Sequence, residues 1–226
     1  TFLLDAIARD GVDVHAQTVA DIGAGSGYLV SALGVLGVHA VGYEVSADQV
    51  AHGNAMLGAP RLTCMGIRAI EQLAHDLTAP VVTMVGLLEH LENPTRVMRL
   101  LGKNPNVRYV LVTVPLFSPT VFFEAAFPRV HPRHLGGRHT HVYSNQSLAW
   151  LEQASGFERC AEWWFGTDIA DLYRNIHVTL AEQQQHPRAV ALWEEMFLPL
   201  IDDLQLVLDQ RKVASEVQLV LRKRSA

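Results

Sequence analysis

Short apolar runs and longer segments with helical spacing follow one another along most of this chain. The short runs have the composition of strands buried in a parallel sheet. Between them, apolar residues recur three or four positions apart, as they do in amphipathic helices. We therefore predict strands over residues 18–20, 39–44, 61–66, 81–85, 107–115, 157–165 and 216–222. The alternation predicts an α/β fold with a mostly parallel sheet and helices on both faces.

One long helical segment interrupts the alternation before the last strand. It covers about residues 168–210, where Pro187 breaks the helix and Pro199 is expected to kink it. Its second half carries an apolar residue at every fourth position, namely Leu192, Met196, Leu200, Leu204 and Leu208. This stripe predicts that the insertion docks on the rest of the domain or on a partner chain, so we expect a homodimer contact here as one alternative.

Composition and charge narrow the class of protein. The chain has 226 residues, of which 49% are hydrophobic and 18% charged, which predicts one globular domain over residues 1–226. A net charge of −5 argues against a nucleic-acid partner, and no apolar run is long enough to predict a membrane span. Two cysteines are too few for a disulfide framework, so we expect a reduced, cytoplasmic protein. Because helical spacing begins at Phe2, we expect the native N-terminus to lie upstream.

A glycine-rich turn follows the first predicted strand. After Asp21, glycines occupy every second position, at Gly23, Gly25 and Gly27, and a helical segment then begins. Such a turn brings backbone N–H groups and a helix N-terminus close to a ligand. A dinucleotide-binding turn has the spacing G-x-G-x-x-G, whereas here Tyr28 occupies the third glycine position. This difference disfavours an NAD(P)-dependent oxidoreductase, which stays as an alternative.

The second predicted strand ends on another acid. Glu44 comes about 20 residues after the glycine turn, where folds of this type present a carboxylate to ribose hydroxyls. An ionised carboxylate only accepts hydrogen bonds, so it is matched to two hydroxyl donors. The alternative is that Glu44 merely belongs to the cap of the next helix, residues 47–57. Agreement between Asp21, the glycines and Glu44 favours ribose binding.

Two motifs together resemble a known family. The pattern Asp-x-Gly-x-Gly-x-Gly of residues 21–27 resembles motif I of the class I S-adenosyl-L-methionine (SAM)-dependent methyltransferases. Leu88-Glu-His-Leu91 with Pro94 resembles the segment after the fourth strand in small-molecule enzymes of the ubiquinone-type and methyltransferase-23-like group. The resemblance implies a Rossmann-like seven-stranded sheet whose last strand is antiparallel. It also implies SAM as cofactor and methyl transfer to an oxygen or nitrogen of a small-molecule acceptor.

The resemblance further implies which residues contact the cofactor. They are Asp21, Gly23, Ala24, Gly25, Gly27, Tyr28, Glu44, Val45, Met65, Gly66 and Leu87. Such enzymes often carry an aspartate near the third strand that faces the adenine, but this chain has Gly66-Ile67 there. Adenine recognition is therefore expected from backbone groups or from apolar contacts.

His90 is the first candidate for a catalytic base. An imidazole has a reference pKa of about 6.5, which suits removal of a proton from an acceptor. A supporting role for His90 beside the site is an equal alternative. In some related enzymes an acid three positions before the Glu-His pair completes a metal site, but here that position is Gly86. We therefore predict no metal.

The segment from Phe117 to Tyr143 contains four histidines and three arginines. A metal site, a solvated loop and an acceptor-binding lid are three alternatives for it. The lid is favoured because guanidinium groups match carboxylates and phosphates, and because the pair Gly136-Gly137 would let it move. His139 and His141 are then further candidates for the base, and the acceptor is expected to be anionic or sugar-like. A catalytically silent protein that binds SAM or a partner is the remaining alternative.

Overall fold

A computed structural model describes residues 1–136, 139–183 and 187–224. Gly137 of the predicted hinge pair and Arg138 of the predicted lid lie outside the described residues. The chain forms two compact units. The first contains residues 1–113, 146–162 and those from 218 onward; the second contains residues 114–145 and 163–217.

Seven strands form one sheet in the order β3-β2-β1-β4-β5-β7-β6. Their bounds are β1 Thr18–Ile22, β2 His39–Glu44, β3 Leu62–Cys64, β4 Val81–Val85, β5 Tyr109–Pro115, β6 Phe157–Phe165 and β7 Glu216–Lys223. Strands β1 to β5 pair in parallel, and β7 runs antiparallel between β5 and β6. This confirms the predicted mostly parallel sheet with an antiparallel last strand.

Ten helices connect and cover the strands within the described residues. They are α1 Phe2–Arg9, α2 Tyr28–Val35, α3 Ala47–Leu57, α4 Ile70–Asp76, α5 Pro94–Lys103, α6 Pro119–Ala126, α7 Asn145–Ser155, α8 Asp168–Gln183, α9 Pro187–Phe197 and α10 Ile201–Gln210. A 3₁₀ turn, Leu198–Leu200, separates α9 from α10 at the predicted proline kink. Every described helix is too short or too polar to serve as a bilayer-spanning segment.

The predicted elements agree best with the structure where the apolar periodicity and the residues that begin or end an element point to the same bounds. β2, β4, β6 and α3 have the predicted bounds. Two helices, α4 and α6, were not predicted. α6 lies in the segment expected to be a lid, and its signals are local: the Ser118 side chain accepts a hydrogen bond from Thr120 N, and Pro119 occupies the first helical position.

Close packing in the first unit fixes the glycine turn against β2. A Cβ added at Gly42 would lie 2.6 Å from the Ala24 Cβ and 2.5 Å from a Leu62 methyl group. Only glycine fits at this position, so the turn after β1 can rest directly on the neighbouring strand. Val30 and Leu33 of α2 are buried in the same apolar core.

A buried carboxylate organises the second unit. Asp168, the first residue of α8, is fully buried. Its Oδ1 accepts hydrogen bonds from Ser118 Oγ at 2.5 Å and from Thr120 N and Oγ1 at 3.1 and 2.9 Å. Its Oδ2 accepts from Ser215 N at 2.8 Å. One side chain therefore ties the starts of α6 and α8 to the segment before β7.

The insertion that contains α9 and α10 keeps several apolar side chains on the surface. Leu192, Met196 and Val207 are all more than half exposed. The aromatic residues of the insertion pack on α8 instead. The ring centroid of Tyr173 in α8 lies 6.1 Å from that of Trp193 and 6.4 Å from that of Phe197, both in α9. The aromatic stack holds α8 against α9. The homodimer contact through the insertion stays a prediction.

Candidate functional site

The glycine turn between β1 and α2 leaves open space beside its backbone at Gly25. Gly23, Gly25 and Gly27 all have φ in the left-handed region, at 79°, 54° and 78°. Gly23 N and Ala24 N donate to Tyr43 O at 2.8 and 3.1 Å, which holds the turn on β2. A Cβ added at Gly25 would meet no protein atom within 4 Å. The space beside Gly25 can therefore accept a ligand that approaches the backbone.

Glu44 lies at the end of β2 and is 9% exposed. Its Oε2 accepts a hydrogen bond from Gly25 N at 2.8 Å. Its Oε1 accepts from Val45 N and Ser46 N at 2.7 and 3.0 Å. A carboxylate offers about four acceptor positions, so this one retains acceptor capacity beyond its three backbone bonds.

Asp21 lies near the end of β1 and is 3% exposed. Its Oδ1 accepts a 2.6 Å hydrogen bond from Thr83 Oγ1, and Oδ2 accepts none from the described residues. Burial, with a smaller contribution from the negative charge of Glu44, raises the pKa of Asp21 to about 6, although the Thr83 bond opposes this shift.

Neither Asp21 nor Glu44 forms an ion pair with a basic side chain of the described chain. Two carboxylates with no counter-charge create a negative potential at the end of β1 and β2. A cationic ligand would relieve the repulsion between them, and hydroxyl donors would use their vacant lone pairs. The site is chemically matched to a ligand that carries both.

Large apolar side chains are exposed around the same edge of the sheet. Tyr28 is 70% exposed, Val45 51%, Ile67 57% and Val85 42%. Each one ends or follows a different strand, from β1 to β4, so they share the edge at which parallel strands end. Exposed apolar groups gathered at a strand-end edge are typical of a ligand-binding surface.

Three other predicted cofactor residues join this edge. Leu87 packs on the turn, because a Cβ at Gly23 would lie 3.2 Å from its Cδ1. Met65 N donates to Glu44 O at 2.8 Å, and Gly66 begins a 3₁₀ turn directly after it. The structure thus brings the predicted residues that follow β3 and β4 to the same edge as the glycine turn.

His90 lines a pocket of the first unit. The pocket has a volume of about 620 Å³ and is lined by the starts of α4 and α5 and by the residues that precede them, among them Ile67, Arg68 and Leu91. The His90 side chain is exposed. It is therefore accessible to solvent and to a bound molecule.

Comparison with known proteins identifies the family. Residues 3–162, more than half of the chain, match the family model described as a methyltransferase domain. The chain belongs to this methyltransferase family. The cofactor is S-adenosyl-L-methionine, and the protein is a SAM-dependent methyltransferase. None of the curated protein sequences matches this one.

Solved structures share the fold of this methyltransferase at low sequence identity. The magnesium protoporphyrin IX methyltransferase of Synechocystis PCC 6803 with bound SAH is 14% identical, over 98% of this chain and 80% of that chain, with a TM-score of 0.62. The [4+2]-cyclase SpnF is 18% identical over 99% and 80%, with a TM-score of 0.57. The small RNA methyltransferase HEN1 is 12% identical over 93% and 23%, with a TM-score of 0.60. Because these proteins differ in activity or acceptor, the fold alone does not determine the acceptor.

The residues of this methyltransferase fit its cofactor. SAM carries an ammonium group and two ribose hydroxyls, which donate hydrogen bonds, and a cationic sulfonium, which is favoured by nearby negative charge. Asp21 Oδ2 and Glu44 supply acceptors, and both carboxylates lack a basic partner among the described residues. The open space at Gly25 lies where the backbone itself can contact the ligand.

The other two candidate bases belong to the second unit of the methyltransferase. His139 Nδ1 lies 3.2 Å from His134 O, and His141 Nδ1 lies 2.8 Å from Thr140 Oγ1. The His141 ring also stacks on Tyr143, with 6.1 Å between ring centroids. Both histidines are half-buried.

Part of the predicted lid is bound inside the second unit. Arg133 Nη1 forms a 3.0 Å ion pair with the buried Asp171 carboxylate. His134 is 5% exposed, and its Nε2 lies 3.0 Å from Ser215 O. The Glu124 carboxylate accepts hydrogen bonds from Arg133 N, His134 N and Leu135 N. These contacts give Arg133 and His134 structural partners; His134 is buried, whereas Arg133 is paired but exposed.

Sequence reasoning missed three polar residues that shape these regions. Thr83 lies in a strand whose other residues are apolar. The only sign of its role in the sequence was a hydroxyl within an apolar run. Glu124 lies in the segment that was expected to be a lid, and Asp168 begins a predicted helix. The buried role of each was missed because the donors come from other segments of the chain.

Proposed function

We propose that this methyltransferase transfers the methyl group of SAM to an oxygen or nitrogen atom of a small-molecule acceptor. The observation that carries the proposal is the pair of buried carboxylates, Asp21 and Glu44, beside the open backbone of Gly25. A dinucleotide would bring a pyrophosphate to this place, where two uncompensated negative charges would repel it. A cationic cofactor is attracted instead.

In the proposed arrangement, the ribose and the ammonium group of the cofactor each have a carboxylate partner. Glu44 accepts from the ribose hydroxyls, and Asp21 Oδ2 accepts from the ammonium group. Gly25 lets the backbone approach the amino-acid part. Met65, Gly66 and Leu87 contact the adenine end through apolar surface and backbone groups, in the absence of an aspartate at that position.

When bound, SAM supplies an electrophilic methyl group that one in-line displacement passes to the acceptor. The protein contributes chiefly by holding both reactants in a near-attack geometry, which can remove about 7–11 kcal/mol of barrier. His90, His139 or His141 accepts the proton that the acceptor oxygen or nitrogen releases. An imidazole is suited to this step because it titrates near neutral pH.

We further propose that the acceptor is anionic or sugar-like, and the sequence of the second unit supports this class. The half-buried His139 and His141 can donate to hydroxyl or anionic groups. Arg133 is already paired with Asp171, which shifts the balance toward a hydroxyl-rich acceptor. The net charge of −5 disfavours a nucleic-acid acceptor, whose phosphates require a basic surface.

Calorimetry tests the cofactor part of the proposal. We expect SAM and S-adenosylhomocysteine to bind and NAD(P) not to bind. Glu44→Ala should weaken SAM binding about ten-fold or more, because loss of a hydrogen bond to a charged group costs roughly 1.5–3 kcal/mol. Asp48→Ala removes an exposed acid from the first turn of α3 and serves as the matched control. Unchanged affinity in Glu44→Ala would refute the assignment of Glu44.

Turnover tests the catalytic part. A library of hydroxyl- and amine-bearing small molecules is screened for release of S-adenosylhomocysteine. With an active acceptor in hand, alanine at the true base should leave SAM affinity unchanged and lower kcat about 10²–10⁴-fold. SAM binding without turnover on any acceptor would favour the catalytically silent alternative.

A further inference from the structure

Thr83 is the one hydroxyl in an otherwise apolar β4. Its side chain is fully buried, as are those of Val82 and Met84, its neighbours in sequence. A hydroxyl buried in such surroundings is costly unless it forms a hydrogen bond. Its bond goes to Asp21 Oδ1, 2.6 Å away. This buried hydroxyl therefore serves the carboxylate.

The register of the sheet makes this contact possible. Asp21 of β1 and Thr83 of β4 are directly paired in the parallel ladder. Because side chains alternate between the two faces of a strand, paired residues on neighbouring strands point to the same face. The hydroxyl thus approaches one oxygen of the carboxylate and leaves the other, Oδ2, without a partner among the described residues.

We propose that Thr83 is a positioning residue for the cofactor: its hydroxyl fixes the Asp21 carboxylate so that Oδ2 is left to accept the ammonium group of SAM. This inference rests on the proposed role of Asp21. Thr83 itself does not touch the cofactor; it acts through the orientation and the charge of its neighbour.

The charges around Asp21 explain why such a partner is needed. Burial and the facing carboxylate of Glu44, at the end of β2, both favour the protonated form of Asp21. The contribution of β4 is the neutral Thr83, whose hydrogen bond favours the ionised form. A protonated Asp21 carries no charge and attracts a cation weakly. The hydrogen bond from Thr83 therefore lowers the pKa of Asp21, so the carboxylate stays ionised down to a lower pH than it would without this bond.

The pH dependence of SAM affinity tests this role in the whole chain. The variants are Thr83→Val, which keeps the shape without the donor, and Thr83→Ser, which keeps the donor. Wild-type affinity should fall as the pH decreases through about 6. In Thr83→Val the fall should begin at higher pH. We expect it to bind about ten-fold more weakly than wild type at pH 6.5, but within about three-fold at pH 8, while Thr83→Ser follows wild type.

Thr113→Val is the matched control. Thr113 is a buried threonine of β5, and its Oγ1 accepts a 3.0 Å hydrogen bond from Gln218 Nε2. Its replacement removes a buried hydroxyl of the same sheet and should leave the pH profile unchanged. Thr83→Ala is measured as well, so that the result does not depend on the fold accepting valine. A direct reading comes from the ¹³C-carboxyl titration of Asp21, whose midpoint should rise in Thr83→Val.

Two outcomes overturn the inference in different ways. If Asp21→Asn weakens SAM binding at pH 8 but the Thr83→Val profile runs parallel to wild type, then Thr83 has no positioning role and the proposed site stands. If Asp21→Asn binds SAM as wild type does, the proposed role of Asp21 fails and the inference fails with it.

Discussion

The backbone N–H of Gly25 donates a 2.8 Å hydrogen bond to the carboxylate of Glu44. The bond joins the turn after β1 to the end of β2, although the two residues are 19 positions apart. The same side chain that can receive the cofactor therefore also shapes the turn that receives it. Binding and local backbone order are coupled through this one carboxylate.

Gly25→Ala should separate backbone strain from loss of ligand space. The φ of Gly25 is +54° and that of Gly58, which ends α3, is +63°. A Cβ at either position meets no protein atom, so each alanine variant should lose about 1–2 kcal/mol of folding free energy from strain. Only Gly25→Ala should also weaken SAM binding, because its methyl group enters the open space. Urea denaturation and calorimetry on both variants measure the two effects, and equal affinities would show that this space is not used.

Asp21→Asn should stabilise the protein at neutral pH. The Asp21 pKa rises from 3.8 to about 6 in the folded state, so the folded protein binds more protons than the unfolded chain between these values. The free energy of unfolding therefore decreases as the pH rises through this window, by up to about 3 kcal/mol at pH 7. Asparagine does not titrate and avoids that loss.

Urea denaturation at pH 7.5 and pH 4 measures this effect. The variant should be more stable than wild type at pH 7.5, and the difference should shrink at pH 4. Asp203→Asn, at an exposed position of α10, is the control for removing one negative charge. A variant that is less stable than wild type at pH 7.5 would contradict the raised pKa. Together with weaker SAM binding, the expected result would show that this carboxylate is kept for the ligand at the expense of stability.

Glu124→Gln should loosen the segment around His134. Burial raises the pKa of Glu124, but bonds from Leu135 N, His134 N and Arg133 N outweigh it and lower the pKa below its ordinary value. The ionised Glu124 therefore contributes its full stabilisation of the fold above the ordinary pKa of a glutamate. This contribution is lost as the pH falls through the lowered pKa of the folded state. A neutral amide accepts these bonds more weakly, so hydrogen exchange at the His134 and Leu135 amides should accelerate at pH 7. Glu182→Gln, an exposed acid of α8, should leave these rates unchanged.

Asp168→Asn should destabilise the second unit. In one orientation, the NH2 group of the Asn side chain would face Ser215 N, which is itself a donor and lies 2.8 Å from Asp168 Oδ2. In the flipped orientation, the NH2 group would replace Oδ1 and the bonds at that atom would be lost. A buried donor without an acceptor costs about 1–3 kcal/mol, and more where the partner was charged. Thermal unfolding measures the loss, with Asp202→Asn at an exposed position of α10 as the control. A loss no larger than that of the control would show that Asp168 is not the organising residue.

The sequence predicts the strand-end carboxylates better than their partners. Asp21 and Glu44 could be found because each ends an apolar run at a fixed distance from the glycine turn. Thr83 could not, because its role depends on strand register between β1 and β4, which periodicity does not determine. α6 was missed because His and Arg dominate its neighbourhood, and the donors to Glu124 follow it by nine to eleven positions.

Asp168 also sets a limit on how the chain can be shortened. Gly166 and Ser215 lie so close that a Cβ on Gly166 would be 2.5 Å from Ser215 Oγ. The short distance suggests a deletion variant in which α8, α9 and α10 are removed and residues 166 and 215 are joined. The deletion would remove the acceptor of Thr120 N and Ser215 N, two buried backbone donors. The helical insertion is therefore not a detachable module, and a minimal version of the chain needs a replacement carboxylate at this junction.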